Sequence, residues 1–403
     1  MIARVSLFTS KRDYLAFLFI SASILFYSLL INYNEYKKLT RFDSHLLKAK
    51  VLKQYIKTSS KNGRTYQVLK LKSDDGLTFY TTAKKSLQDI NSKKIDVEIW
   101  AGKISFYEYM TTFYANSKIL HVENDLSVKS ILNQHISSQH ADKNISSLYY
   151  ALYTAKPLHL DLQTTFSNLG ISHLIAISGF HLGVLSALLF FLLRPLYRFF
   201  QNRYFPFRNA NIDLFIIVSS VLLTYLLFLD SPPSLLRAFG MLVIGFILYD
   251  RGVEVLSMQT LFVTVVLLLS IFPKLFFTIG FWLSVAGVYY IFLFLIYYKN
   301  RSKIFQFTLL PIWVYIFMLP YSLVIFSNFS IYHPLSILWT TLFTLFYPLS
   351  IFLHVVSFGD LFDGVLSSLI SLGEVGLHVE LSYEFLVLHV ALSLALLFIK
   401  RRA

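Results

Sequence analysis

Residues 170–193 read GISHLIAISGFHLGVLSALLFFLL. From Ile171 onward the stretch carries no Asp, Glu, Lys or Arg, and roughly 20 such residues in helical form cross a bilayer core. The class of the whole chain follows from this stretch, because runs like it recur. They cover 14–31, 212–229, 235–249, 255–272, 275–298, 304–326, 331–358 and 385–399, with short polar links between most of them. Of the 403 residues, 56% are hydrophobic, and mean hydropathy is +0.59, above the range of soluble domains. The chain is predicted to be a polytopic α-helical membrane protein of about eight spans. It has no cysteine, which excludes a disulfide framework, thiolate zinc sites and a Cys nucleophile.

Lys11 and Arg12 precede the first apolar run, which is longer than a signal-peptide core and is followed by no small-residue cleavage site. Residues 1–33 therefore read as a retained anchor. Residues 34–128 are polar, and their apolar positions alternate with a period of two over 45–56, 65–72, 77–82, 95–100 and 104–115. Lys61-Asn62-Gly63 and Ser73-Asp74-Asp75-Gly76 punctuate these runs as turns. Five short strands with a basic surface predict a small OB-like β-barrel. Residues 129–170 read as helical, amphipathic and juxtamembrane, and residues 171–403 as the membrane domain.

The net charge is +14. It fits either a polyanionic partner or cytoplasmic enrichment of cations. With the N-terminus in the cytoplasm the barrel lies outside. Arg194, Arg198, Arg203 and Arg208 then fall inside, as do Lys299, Arg301 and Lys303, as the positive-inside rule requires. Counting 331–358 as one simple span puts Lys400-Arg401-Arg402 outside, against that rule. A re-entrant hairpin bracketed by Pro334 and Pro348 restores it, since broken helices are tolerated where protein or a watery cavity covers them. The acidic stretch 360–384, with Asp363, Glu374 and Glu380, then lies outside as an amphipathic surface helix.

His173, Ser178, Gly179, His181 and Gly183 interrupt the apolar run quoted above. Polar groups at such depth face a bundle interior or an aqueous path, although small residues also serve helix packing. Ser178-Gly179 is a candidate kink. The segment from Gly170 to Gly183 resembles the signature of the ComEC competence family, inner-membrane channels for single-stranded DNA. Ser234-Leu235-Leu236-Arg237-Ala238 and Gly280-Phe281-Trp282-Leu283-Ser284-Val285-Ala286-Gly287 are similar to two further family segments. The resemblance implies translocation of single-stranded DNA into the cytoplasm during natural transformation. It implies an OB-like domain after the first span and a path marked by His173, Ser178, Gly179, His181, Gly183, Ser234, Arg237, Gly280 and Ser284. The partners it implies are DNA, membrane lipids, an outer DNA receptor and a cytoplasmic helicase or motor. Trp282 departs from the family's Gln, and Ile337 from its Asn. Many members end in a metallo-β-lactamase-like domain. This chain ends at Ala403 and has no His-x-His-x-Asp-His cluster. No metal, cofactor or enzymatic role is therefore expected, and a nuclease, where one acts, is expected to be a separate protein.

In the barrel, Lys48 and Lys50 share a strand face, as do Lys70 and Lys72, with Tyr66 and Tyr80 nearby. Cations tracking phosphates beside rings that stack on bases are how OB folds hold single strands. A solvated lysine face over an aromatic core produces the same pattern. Arg237 reads as a phosphate contact at a pore mouth or as an interfacial anchor. Two other functions fit parts of the sequence. One is a lipid or small-solute transporter. The other is an intramembrane serine hydrolase using Ser178 with His181 or His333.

Overall fold

The computed structural model describes residues 7–8, 10–58, 63–91, 93–123, 128–253 and 255–399. Lys61, Asn62 and the terminal Lys400-Arg401-Arg402 lie outside the described residues. The first helix, α1 (Lys11–Leu39), starts at a capping box between Ser10 and Asp13. It runs past the expected end of the anchor, and Tyr36 and Leu39 pack into the core of the domain that follows. Anchor and domain therefore share one continuous helix.

That domain is a closed barrel. β1 (His45–Thr58), β2 (Thr65–Ser73), β3 (Thr78–Ala83) and β4 (Lys94–Trp100) match four of the five expected strands. The fifth run begins instead with a short helix, α2 (Phe106–Met110), because Ser105 and Glu108 form a capping box and Tyr109 and Met110 turn into the core. The chain then forms β5 (Phe113–Tyr114) and β6 (Asn116–Val122). β1 pairs with both β2 and β4, β2 with β3, β4 with β6, and β5 closes the barrel in parallel against β3. Taking β5 and β6 as one interrupted strand gives the OB order. Ala49, Val51, Leu69, Leu71, Phe79, Ile95, Val97 and Ile99 alternate inward and fill it.

Helices α3 (Val128–Ser137), α4 (Lys143–Thr154) and α5 (Leu160–Asn168) follow. The membrane domain comprises α6 (Ser172–Ile175), α7 (Gly179–Tyr204), α8 (Ala210–Phe228), α9 (Pro233–Asp250), α10 (Met258–Ile271), α11 (Ile279–Tyr297), α12 (Lys303–Phe326), α13 (Ser336–Val355), α14 (Asp363–Gly373) and α15 (Tyr383–Ile399). A two-stranded ribbon, β7 (Asn328–Phe329) with β8 (Leu377–His378), joins the last third. Among the described residues six helical segments are long and apolar enough to cross a membrane: α1, α7, α8, α11, α12 and 333–355. α10 and α15 are shorter apolar helices. The chain is a multi-pass membrane protein.

Two further expectations change. The run 171–193 is not one helix but breaks at Ala176-Ile177, between α6 and α7. The stretches bracketed by Pro334 and Pro348 are not the limbs of a hairpin, because α13 passes through Pro348 unbroken. A proline removes one backbone donor, a loss that packing partners offset in a buried helix. The chain doubles back earlier, over 327–335, bringing His333 against Tyr315, roughly three turns before the end of α12 (Nδ1 to hydroxyl 3.1 Å). Part of the acidic stretch does form an amphipathic helix, α14, whose Leu366, Leu369 and Ile370 are buried in a core shared with α4, α5 and α13. At one edge of that core His140 Nδ1 meets Asp363 at 2.9 Å, and its Nε2 meets His354 Nε2 at 3.0 Å.

At Gly170 a left-handed backbone and a close contact coincide. Gly170 has φ +70°, and a Cβ there would lie 2.6 Å from the His333 ring. Gly170→Ala is expected to lower the amount of folded protein in the membrane, through about 1–2 kcal/mol of backbone strain plus the clash. Adding His333→Ala should recover part of the loss, since it removes the clash and leaves the strain. No recovery in the double variant would show that the clash is unimportant.

Candidate functional site

The break before α7 makes the site. Ile177 leaves the helical path, and Ser178 caps α7, its Oγ accepting the Phe180 N–H at 3.3 Å. His181 completes a capping box, its Nδ1 accepting the Ser178 N–H at 3.2 Å. A neutral His181 therefore carries its proton on Nε2. That nitrogen is buried without a hydrogen-bond partner, and the ring lies edge-on to Phe343 and Tyr347 of α13. The Ser178 Oγ is also 3.2 Å from His181 Nδ1. Both groups of the supposed Ser–His pair are thus engaged in ending the break and starting the helix.

The other two motif segments arrive at the same place. Ser234, near the start of α9, donates from Oγ to the Ile177 carbonyl at 2.7 Å, which satisfies the acceptor that the break exposes. One turn further, Ala238 approaches Gly179 so closely that a Cβ on Gly179 would lie 3.0 Å from that of Ala238. Arg237 is 4% exposed. It turns into the bundle rather than out to an interface, donating to the Gly280 carbonyl of α11 at 2.8 Å, with its guanidinium 5.8 Å from the centre of Phe281. Its Nε has no hydrogen-bond partner, and among the described residues no carboxylate pairs with it. A buried cation without a counter-charge is costly and attracts anions.

Ser172, His173, Ala176, Gly179 and Gly183 remain accessible on α6 and α7, while His181 and Leu182 are buried. His173 is exposed. Its Nε2 lies 3.3 Å from Thr340 Oγ1. A Cβ on Gly183 would meet nothing. Ser284, one turn beyond Gly280, is half-buried. Three segments that are remote in sequence thus form one centre of small side chains, two histidines and one unneutralised guanidinium.

A competence protein family model matches residues 155–399, the stretch that contains all three segments. The chain belongs to the ComEC-like competence protein family. No curated protein and no solved structure matches it. As a competence protein it has a role in DNA uptake, and DNA is its substrate. In this competence protein Trp282, at the position where the family has Gln, donates from its indole N–H to the Phe276 carbonyl at 2.8 Å. Ile337 lies at the start of α13.

The barrel lysines share one face, but they are not equally free. Lys48 pairs with Glu123 at 3.1 Å. Lys50 pairs with Asp230 at 2.8 Å, and Lys72 donates to the Asp230 carbonyl at 2.7 Å. Lys70 lies over the Tyr80 ring at 5.4 Å. Directly across the strand pair from it is Lys53, which the alternation pattern missed because a bulge between Val51 and Lys53 shifts the register. Burial lowers the pKa of Lys70 and Lys53, and for Lys53 the facing Lys70 adds to this. Tyr66 is half-buried, opposite Lys57. Asp230 lies 180 residues from Lys50, and no local signal in the sequence could have paired them.

Proposed function

We propose that this protein forms the conduit through which single-stranded DNA crosses the cytoplasmic membrane, with the barrel on the outer side receiving the strand. The observation that carries this reading is the convergence of the three motif segments on the break before α7. That centre combines accessible small residues with a buried cation that has no acid partner. A polyanion needs a path that attracts it without holding it tightly, and one guanidinium among small neutral groups meets both demands, whereas a cation-lined tube would trap the strand. The face bearing Lys53, Lys70, Tyr66 and Tyr80 supplies charge and rings for first capture. An outer DNA receptor, a cytoplasmic motor and a separate nuclease complete the pathway in this reading.

The test is a deletion strain complemented with the wild-type chain, given labelled DNA. Nuclease-protected DNA outside the cytoplasmic membrane should persist in the deletion, while cytoplasmic DNA disappears and returns on complementation. Normal cytoplasmic entry in the deletion would reject the conduit. Altered lipid or solute distribution with normal DNA entry would favour a transporter of another kind.

Orientation has its own check. Reporter fusions at Arg203 and Lys299 are expected to read cytoplasmic and one at Lys93 external; one after Ala403 is expected to read cytoplasmic if the doubling back over 327–335 is re-entrant. An external signal after Ala403 would make 333–355 a simple span and leave the conduit reading standing.

A further inference from the structure

The turn between α8 and α9 carries two consecutive non-glycine residues in the left-handed region, Asp230 at φ 63° and Ser231 at φ 51°. Such backbone persists only where its surroundings fix it. Here the end of α8 fixes the backbone, the Asp230 N–H donating to the Leu227 carbonyl at 3.0 Å and the Ser231 N–H to the Leu226 carbonyl at 2.9 Å, while three lysines hold the Asp230 side chain and carbonyl. The Lys50 and Lys129 ammoniums lie 2.8 and 2.7 Å from the same Asp230 carboxylate oxygen, Oδ2, and Lys72 holds the Asp230 carbonyl. Two of these lysines come from the barrel and one from α3. One carboxylate thus faces three cations, a local excess of positive charge. Burial holds Lys72 and Lys129 below the ordinary lysine pKa in spite of Asp230, and the nearness of Lys50 contributes in both. The cluster is nevertheless reachable, since the Asp230 side chain is 45% exposed.

We propose that Lys50, Lys72 and Lys129 form an oxyanion site for a DNA phosphate, and that Asp230 occupies it as a resident, autoinhibitory substitute. This rests on the conduit reading and adds its regulation. A carboxylate and a phosphodiester each present negatively charged oxygens that accept from ammonium groups. The Lys50–Lys72 pair and the Lys53–Lys70 pair are neighbouring rows of the same strand pairing. A strand captured at Lys53 and Lys70 therefore extends directly onto the lysines that hold Asp230. Displacing Asp230 unties the α8–α9 turn from the barrel and α3. Pro232 and Pro233 limit local bending, so the change passes to Ser234 and hence to its bond with Ile177 at the break before α7. Arrival of DNA at the barrel is in this way communicated to the membrane centre.

The experiment uses the full chain in lipid nanodiscs and a fluorescent oligothymidylate. Asp230→Asn keeps size and the left-handed preference but removes the competing charge. It is expected to tighten binding about three- to tenfold, the range that two partly exposed ion pairs imply. It should also steepen the dependence of log affinity on log salt by roughly 0.7 for each phosphate newly engaged. Ser231→Gly relaxes the turn while retaining the acid, and should bind as wild type does. Replacing Lys50, Lys72 and Lys129 by Gln in the Asp230→Asn background should cancel both gains. Unchanged or weaker binding by a normally inserted Asp230→Asn variant overturns the proposal, as does an equal gain in Ser231→Gly. If Asp230→Asn tightens binding but the deletion strain imports DNA normally, the anion site stands and the conduit reading fails.

Discussion

Gly179→Leu is expected to reduce cytoplasmic DNA entry to the level of the deletion strain, with the protein still present in the membrane and external DNA protection unchanged. A methyl group at Gly179 already meets Ala238 at 3.0 Å, so Gly179→Ala requires a small parting of α7 and α9. Leucine forces a larger one. Overpacking of this kind costs about 1–3 kcal/mol, too little to prevent insertion of a multi-span bundle. It acts at the point where Ser234 and Ile177 hold the break, and it fills the accessible side of α7. Ser178→Ala is the companion measurement. Losing the cap costs about 0.5–2 kcal/mol, so entry should fall only partly. If Ser178→Ala were as inactive as the deletion while Gly179→Ala remained active, a nucleophilic role for Ser178 would replace the conduit. If Gly179→Leu transported normally, the accessible face of α7 would not line the path.

Arg237 carries the second large effect. Its hydrogen bond to Gly280 and its position beside Phe281 place the guanidinium at the junction of α9 and α11. An ammonium cannot reproduce both a planar contact with a ring and a two-pronged contact with a phosphate. Arg237→Lys is therefore expected to insert normally but import less DNA, and Arg237→Ala to import less still, with external protection intact in both. A hydrogen bond to a charged group contributes about 1.5–3 kcal/mol, which sets the scale of any loss in stability. Wild-type import by Arg237→Lys would reduce Arg237 to a structural cation. Loss of both variants from the membrane would assign it to folding.

Much of this arrangement was legible in the sequence, and the failures have physical causes. The apolar runs gave the membrane class because length and absence of charge suffice for that reading. Alternation gave four of the barrel strands. It mistook α2 for strand because the Ser105–Glu108 capping signal was not weighed against the aromatic content of the run. The break inside 171–193 was marked only by Ser178-Gly179, which sequence permits as a kink but cannot enforce. The hairpin was misplaced because proline was read as a terminator, whereas α13 accommodates Pro348 and doubling back occurs at 327–335. The motif residues were identified through family resemblance, but their convergence depends on contacts between α7, α9 and α11. Asp230, Lys129 and Lys53 were missed because their roles arise from long-range pairing and a one-residue bulge. The His140–His354–Asp363 cluster was likewise hidden, His140 lying more than 200 residues of chain from the other two.

The bond from Arg237 to Gly280 also imposes an order on biosynthesis. The acceptor lies 43 residues after the donor. At about 5–20 residues per second of synthesis, Arg237 is made roughly 2–9 s before the Gly280 carbonyl exists. An arginine within a span opposes insertion by about 2.5–3.5 kcal/mol at mid-helix and by less near an end. Through that interval α9 must be retained by the insertion machinery or by the start of α7, through Ser234 and Ala238. Emergence of α11 then supplies the missing acceptor and releases the finished bundle. A chain truncated between α9 and α11 should accordingly remain bound to the insertion machinery, because one polar group in it still has no partner.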